Sequence, residues 1–371
     1  MSAWIHHIET AVPERCYSQE DVGKQMLEWT IDERDKRLVR MLYRNSGIET
    51  RHSVIPDWGE GFFIAKEDGS YRQPSTSERN STYTREGHKL AVDLGHKLLA
   101  AAPEFSPSEI THVVTASCTG FFNPGIDYFL CQELDLPINT KRYHLGFMGC
   151  YAAFPALSMA AQFCQADPEA VVLVMCLELC SLHLQINGSE DTILANSLFA
   201  DGAGAVLVSG RSPQPGIGTY RIDDFDSALI PSGKEAMAWS IGDLGFDISL
   251  SSYVPKIIGA GINDLLVPLL TKNKLSTQDI DRWAVHPGGK TIIDKVAKSL
   301  SLSAGQVQPS RTVLQKFGNM SSATILFVLK ETLSQAAISG QEKVCAMAFG
   351  PGLTVEMALL QANRATNGKR S

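Results

Sequence analysis

The chain states one layout twice. SPSEITHVVTASCTG at 106–120 and STQDIDRWAVHPGG at 276–289 each open with a Ser-led polar turn, pass through Ile110 or Ile280, and run into a short apolar stretch of strand character. Each follows an apolar helical stretch, HKLAVDLGHKLLAAAP before the first and KIIGAGINDLLVPLLTKN before the second. Cys150 lies 40 residues after Ile110, and Asn319 lies 39 after Ile280. Both follow a Gly, both begin a helix-like run, and each run leads to a buried-strand candidate, AVVLVMCLE at 170–178 or KVCAMAFG at 343–350. Strands alternating with helices predict an α/β architecture with parallel pairings. The expected division is 1–215 and 216–371, two halves of one core that meet near the turn-rich RSPQPGIG at 211–218.

A pseudo-twofold relation between the halves brings Cys150 and Asn319 to one central place, and His286, at the end of the second-half strand, reaches the same place. A thiol near a helix N-terminus and an imidazole is expected to ionise at neutral pH. His286 and Asn319 then offer two hydrogen-bond donors to a carbonyl oxygen that gains negative charge. An amide cannot act as a general base. The set therefore fits acyl transfer to sulfur followed by attack of a carbanion made by decarboxylation. Asn319 as a plain helix cap is the alternative. Pro155, five residues beyond Cys150, is expected to bend the helix unless the first turn falls there.

Composition narrows the remainder. Hydrophobic residues are 44% and charged residues 20%, ordinary for a globular protein. A net charge of −7 gives no basis for nucleic-acid binding. MSAWIHHIETAVPE lacks a basic, apolar leader, and with no apolar run of ~18 residues no membrane span is expected, so the reading is cytoplasmic. Cys16, Cys118, Cys131, Cys150, Cys164, Cys176, Cys180 and Cys345 are dispersed, with no CxxC pair for a metal or redox role. Residues 56–87 read as surface loop with a short helix, and 362–371 as a polar tail that frays.

Five ordered motifs carry a resemblance: GC at 149–150, LFADGAGAV at 198–206, WAVHPGG at 283–289, FGNMSSA at 317–323 and GPGLTVE at 350–356. Together they resemble type III polyketide synthases, the chalcone-synthase-like enzymes. The resemblance implies a thiolase-like five-layered α-β-α-β-α fold and a homodimer. It implies an acyl-CoA starter and malonyl-CoA as substrates, no cofactor beyond these coenzyme A thioesters, and a pyrone- or resorcinol-type product. It gives Cys150 the role of nucleophile, with His286 and Asn319 binding the malonyl thioester carbonyl.

Arg37, Arg40 and Arg44 in DKRLVRMLYR, at i, i+3, i+7 on one helix face, match basic residues that hold the coenzyme A phosphates, or else form a solvated charged face. Phe199 matches a phenylalanine at the junction of tunnel and cavity. Ile248 stands where a second, gating phenylalanine is expected. Cys118 and Thr119 fall at pocket positions that often carry hydroxyls, and Asn123 where a Met crosses into the partner's cavity. His183 falls near a small pocket residue, and Ser321 keeps the expected type. These departures disfavour an aromatic starter and favour a fatty acyl one. The nearest alternative is a β-ketoacyl synthase III-like enzyme that condenses once.

Overall fold

The computed structural model describes residues 2–56, 61–214, 218–335 and 341–363. Nine strands form one sheet: β1 (Ala3–Ala11), β2 (His112–Ser117), β3 (Lys141–Gly146), β4 (Val171–Leu179), β5 (Asp201–Ser209), β6 (Thr219–Leu229), β7 (Arg282–Val285), β8 (Gln341–Gly350) and β9 (Thr354–Asn363). Their order is β7-β8-β9-β6-β1-β5-β4-β2-β3. The seam is β1 against β6, joined only at Ala3–Ile222, Trp4–Arg221 and Ile5–Tyr220. On either side the order repeats. β1-β5-β4-β2 answers β6-β9-β8-β7, with β4–β2 and β8–β7 parallel and the other pairs antiparallel. The repeat reaches the entry turns, where Glu109 and Asp279 each accept the N–H of Ser106 or Ser276 at 2.8 Å in matching capping boxes.

Layering follows from burial. β4 buries all nine of its residues because helices cover both faces. Val172, Val174 and Cys176 point to a central core, and Leu173, Met175 and Leu177 to an outer one, as a period of two requires. The central layer is a pair of helices, Ala153–Ala166 and Thr324–Gln335, one from each half. Their Phe154, Leu157, Ile325, Leu326 and Leu329 share one core. Helices Thr76–Ala101 and Ile126–Glu133 cover the first half outside, and Val254–Lys272 and Lys290–Ser299 cover the second. The result is the expected α-β-α-β-α stack. A hairpin, Met237–Gly242 with Gly245–Leu250, pairs only with itself.

Several local expectations change. The short helix expected within 56–87 is the start of a 26-residue one, Thr76–Ala101, opened by a capping box of Ser75 and Glu78. Fully buried Arg79 anchors it by donating to the carbonyls of Leu182 and Leu184. Residues 57–60, 215–217 of the connector and 364–371 of the tail lie outside the described residues, while Ala362 and Asn363 end β9. Pro155 is only the third residue of its helix, in the turn whose N–H groups have no intrahelical acceptor, so it breaks nothing. Val254–Lys272, at 19 residues, is long and apolar enough to cross a bilayer. Lys256 and Asp264 interrupt it in the sequence. In the fold, its Ile258, Ile262, Leu266 and Leu269 pack into the outer core of the second half. Among the described residues the second half shows no counterpart of β3; Gln308–Phe317 is a helix there.

Candidate active site

Cys150 sits in a turn between β3 and the central helix, not on the helix itself, which starts at Ala153. Gly149, at φ +91°, makes the turn possible, since a Cβ there would lie 2.5 Å from Pro351 Cδ. The reverse contact is as close, because a Cβ on Gly350 would meet Tyr151 Cδ1 at 2.5 Å. The GPG turn after β8 and the Cys150 turn thus interlock across the two halves. His286 directly follows β7 and donates its backbone N–H to Met347 O at 2.8 Å. Its ring is buried, and neither ring nitrogen has a hydrogen-bond partner among the described residues. Asn319 follows Gly318, at φ +71°. Its Oδ1 accepts the Ser321 N–H at 2.9 Å and its Nδ2 donates to Gly288 O at 3.4 Å. Asn319 therefore braces the Ser321 N–H from one residue before the N-cap, Met320, and is not itself the helix cap, while it also lines the cavity.

The cavity holds about 520 Å³. Cys118, Thr119, Cys150, Phe199, Ile248, His286, Asn319 and Ser321 all line it. Arg37, Arg40, Arg44, Asn123 and His183 do not. The helix Glu33–Asn45 turns Leu38, Met41, Leu42 and Asn45 to the cavity, and Leu38, Met41 and Asn45 each stand one residue after an expected arginine. One residue is a rotation of about 100° on an α-helix, which leaves the three arginines exposed. The cation that lines the cavity is Lys290, exposed at its outer wall. Asn123 is exposed on the loop before Ile126–Glu133. His183 is a strut: its Nε2 bonds Thr119 O at 2.7 Å, its Nδ1 accepts the Phe246 N–H at 3.0 Å, and it stacks on Phe246 at 4.0 Å between centroids.

Burial governs the charges. Desolvation pushes the Cys150 thiol up to about 12, offset in part by hydrogen bonds from Ser321 and then Asn319. The same cause takes His286 down to about 3. Burial alone thus favours the uncharged form of each group. Cys150 stands three residues before the helix Ala153–Ala166 rather than at its first residue, as the sequence led one to expect.

Two neighbours escaped the sequence reading. Trp239, on the hairpin, lines the cavity, donates Nε1–H to Cys118 O at 2.9 Å and meets the His183 ring edge-on at 5.7 Å. Glu178, inside the apolar VVLVMCLEL, is wholly buried behind Cys118. It accepts from Cys118 N at 3.0 Å, Thr119 Oγ1 at 2.8 Å and Ser322 Oγ at 2.5 Å. Desolvation raises its pKa and these bonds offset the rise. A lone carboxylate in a strand with both faces covered was the available signal.

Residues 2–213 match the family described as chalcone and stilbene synthases, N-terminal domain, and 224–363 match its C-terminal domain. An alpha-pyrone synthesis polyketide synthase-like protein of Mycobacterium tuberculosis is 33% identical over 367 residues, covering 98% of this chain and 92% of the relative. A 3,5-dihydroxyphenylacetyl-CoA synthase of Amycolatopsis balhimycina is 31% identical over 362 residues, covering 95% and 91%. Among solved structures, PKS-I of the brown alga Ectocarpus siliculosus superposes with a TM-score of 0.90 at 28% identity, covering 98% of each chain. The 1,3,6,8-tetrahydroxynaphthalene synthase of Streptomyces coelicolor A3(2) gives 0.86 at 27%, covering 98% of this chain and 99% of that one. A duplicated α/β core with Cys, His and Asn on one cavity, matched along nearly its whole length, makes this chain a member of the chalcone and stilbene synthase family, the type III polyketide synthases.

Proposed function

We propose that this enzyme extends an aliphatic acyl starter with malonyl units on Cys150 and releases a pyrone- or resorcinol-type product. The observation that carries the reading is the meeting of Cys150, His286 and Asn319 on one cavity that Leu38, Met41, Leu42, Leu194, Met237 and Leu250 also line. Such walls suit a hydrocarbon chain. The names of two relatives, one in alpha-pyrone synthesis and one making 3,5-dihydroxyphenylacetyl-CoA, support the product class.

In this mechanism the Cys150 proton passes to His286, the sulfur attacks the starter thioester carbonyl, the C–S bond to coenzyme A breaks, and coenzyme A leaves as its thiolate, so that His286 keeps the proton it donates next. His286 and Asn319 then donate to the malonyl thioester oxygen. Loss of carbon dioxide leaves its electron pair on the α-carbon as an enolate, which the two donors stabilise. The enolate carbon attacks the acyl thioester, the C–S bond to Cys150 breaks, and the β-ketoacyl-CoA reloads or cyclises. Lys290 at the outer wall, with Arg37, Arg40 and Arg44 on the neighbouring exposed helix face, is proposed to hold the coenzyme A phosphates. Coenzyme A thioesters are the only small molecules this scheme requires.

The test is mass spectrometry of products from malonyl-CoA with acetyl-, medium-chain, long-chain and aromatic acyl-CoAs, with Cys150→Ala in parallel. Triketides or tetraketides from aliphatic starters, absent with the variant, are expected. Products with one extension only would instead support the single-condensation reading. A homodimer is part of the proposal. Its support is β3, which is paired on one side only by β2 and carries exposed Tyr143.

A further inference from the structure

Arg51 is wholly buried although its strand, Thr50–His52, lies outside the nine-stranded sheet and pairs only with Cys16–Ser18. Its Nη1 donates to two carbonyls of one short stretch, Asn196 O at 2.7 Å and Phe199 O at 2.8 Å. The Tyr43 ring lies 5.6 Å from the guanidinium carbon, and its hydroxyl donates to the same Asn196 O at 2.9 Å. Between those carbonyls hangs the backbone of Asn319. Its N–H donates to Leu198 O at 2.9 Å, and its C=O accepts the Ala200 N–H at 2.9 Å, forming an isolated parallel bridge with Phe199. The Arg51 stem also packs on the pivot before Asn319, since a Cβ on Gly318 would lie 3.1 Å from Arg51 Cγ.

A buried guanidinium is tolerated only when acceptors replace its water. Here the acceptors include Asn196 O, in the last turn of the helix Glu190–Leu198, where carbonyls carry excess negative charge. The cation in turn fixes the stretch 196–199, and that stretch fixes both the Asn319 backbone and the Phe199 side chain at the cavity wall. We infer that Arg51 is a positioning residue, one that sets where the Asn319 amide stands relative to the malonyl thioester. The inference rests on the donor role proposed above for Asn319.

The test separates two half-reactions in the full-length enzyme: acylation of Cys150 by the starter-CoA, read by intact mass, and carbon dioxide release from malonyl-CoA. Arg51→Lys is expected to slow decarboxylation on the order of 10- to 100-fold while acylation changes by less than about 3-fold. Tyr43→Phe, which keeps Arg51 but removes one bond to the same carbonyl, is expected to show the same split at about 3-fold, and it decides the matter if Arg51→Lys does not fold. Equal loss in both half-reactions, or loss in neither, overturns the inference. Asn319→Ala is the control. If it leaves decarboxylation intact, the donor role itself fails; if it abolishes decarboxylation while Arg51→Lys and Tyr43→Phe show no split, only the Arg51 inference fails.

Discussion

The Cys150 turn and the Asn319 turn hold the same place in the two halves and are reached differently. β3 leads to Gly149 and Cys150, whereas the helix Gln308–Phe317 leads to Gly318 and Asn319. Both pivots are glycines at positive φ, +91° and +71°, and both turns feed a helix of the central layer. The shared parts are therefore the pivot and the helix after it. The element before the pivot is free to change, and it does, so that only the first half carries a six-residue parallel strand at its outer edge.

The largest contrast is chemical. Cys150→Ala is expected to abolish both acylation and condensation. Asn319→Ala is expected to leave acylation within a few-fold and to cut decarboxylation by roughly 10²–10³, the usual cost of one lost oxyanion donor. Intact mass and carbon dioxide release, run side by side, check the split, and equal losses at both turns would break it. The pivots come next. Gly149→Ala places a Cβ 2.5 Å from Pro351 in a left-handed backbone, while Gly318→Ala meets Leu198 O and Arg51 Cγ at 3.1 Å. Gly149→Ala carries about 1–2 kcal/mol of backbone strain, and Gly318→Ala, at φ +71° and ψ −159°, about 1–3 kcal/mol. Gly149→Ala adds overpacking of about 1–3 kcal/mol and should show the lower urea midpoint; the reverse order would contradict the contacts.

A smaller effect tests the edges. Tyr143→Glu on β3 is expected to weaken self-association in sedimentation velocity with little change in melting temperature, whereas a charge at exposed Gln278, just before β7, leaves the assembly unchanged.

The smallest effect is in pH. His183 in the first half and His286 in the second are each held near 3 by burial, against 6.5 when unfolded. Between these values the unfolded chain binds more protons than the native one, so stability falls as pH drops below about 6.5. The loss reaches at most about 2 kcal/mol per histidine at pH 5. Asp201, raised by burial to about 6 from 3.8, works the other way and gains stability over the lower part of that window. His183→Gln should flatten the acid limb of urea midpoint against pH, and an unchanged limb would remove His183 as a contributor.

The duplication was legible because it is local: Ile110 and Ile280 at matching places, spacings of 40 and 39 residues to Cys150 and Asn319, and glycine before each of the two. Cys150 and Asn319 were legible for the same reason, whereas Phe199, Ile248, Cys118, Thr119 and Ser321 on the same cavity came from the family motifs. The 3.6-residue period also placed Arg37, Arg40 and Arg44 on one exposed helix face. It did not show that the adjoining row, Leu38, Met41, Leu42 and Asn45, would line the cavity, because that depends on the packing of Val39 and Tyr43 against the rest of the fold. Trp239 was hidden because it reaches the cavity from a hairpin distant in sequence, and Glu178 because an apolar strand masks one carboxylate. The substitution of a helix for a third strand in the second half depends on what packs against that edge, which periodicity does not encode.

The hairpin that carries Trp239 and Ile248 shares no ladder with the nine-stranded sheet. A mutation there reshapes the vessel in which the chain grows without loosening a strand that holds Cys150, His286 or Asn319. Selection can therefore alter the size of the product while the bond-forming apparatus stays inherited intact, which makes this small ribbon the part of the molecule where new chemistry is cheapest to evolve.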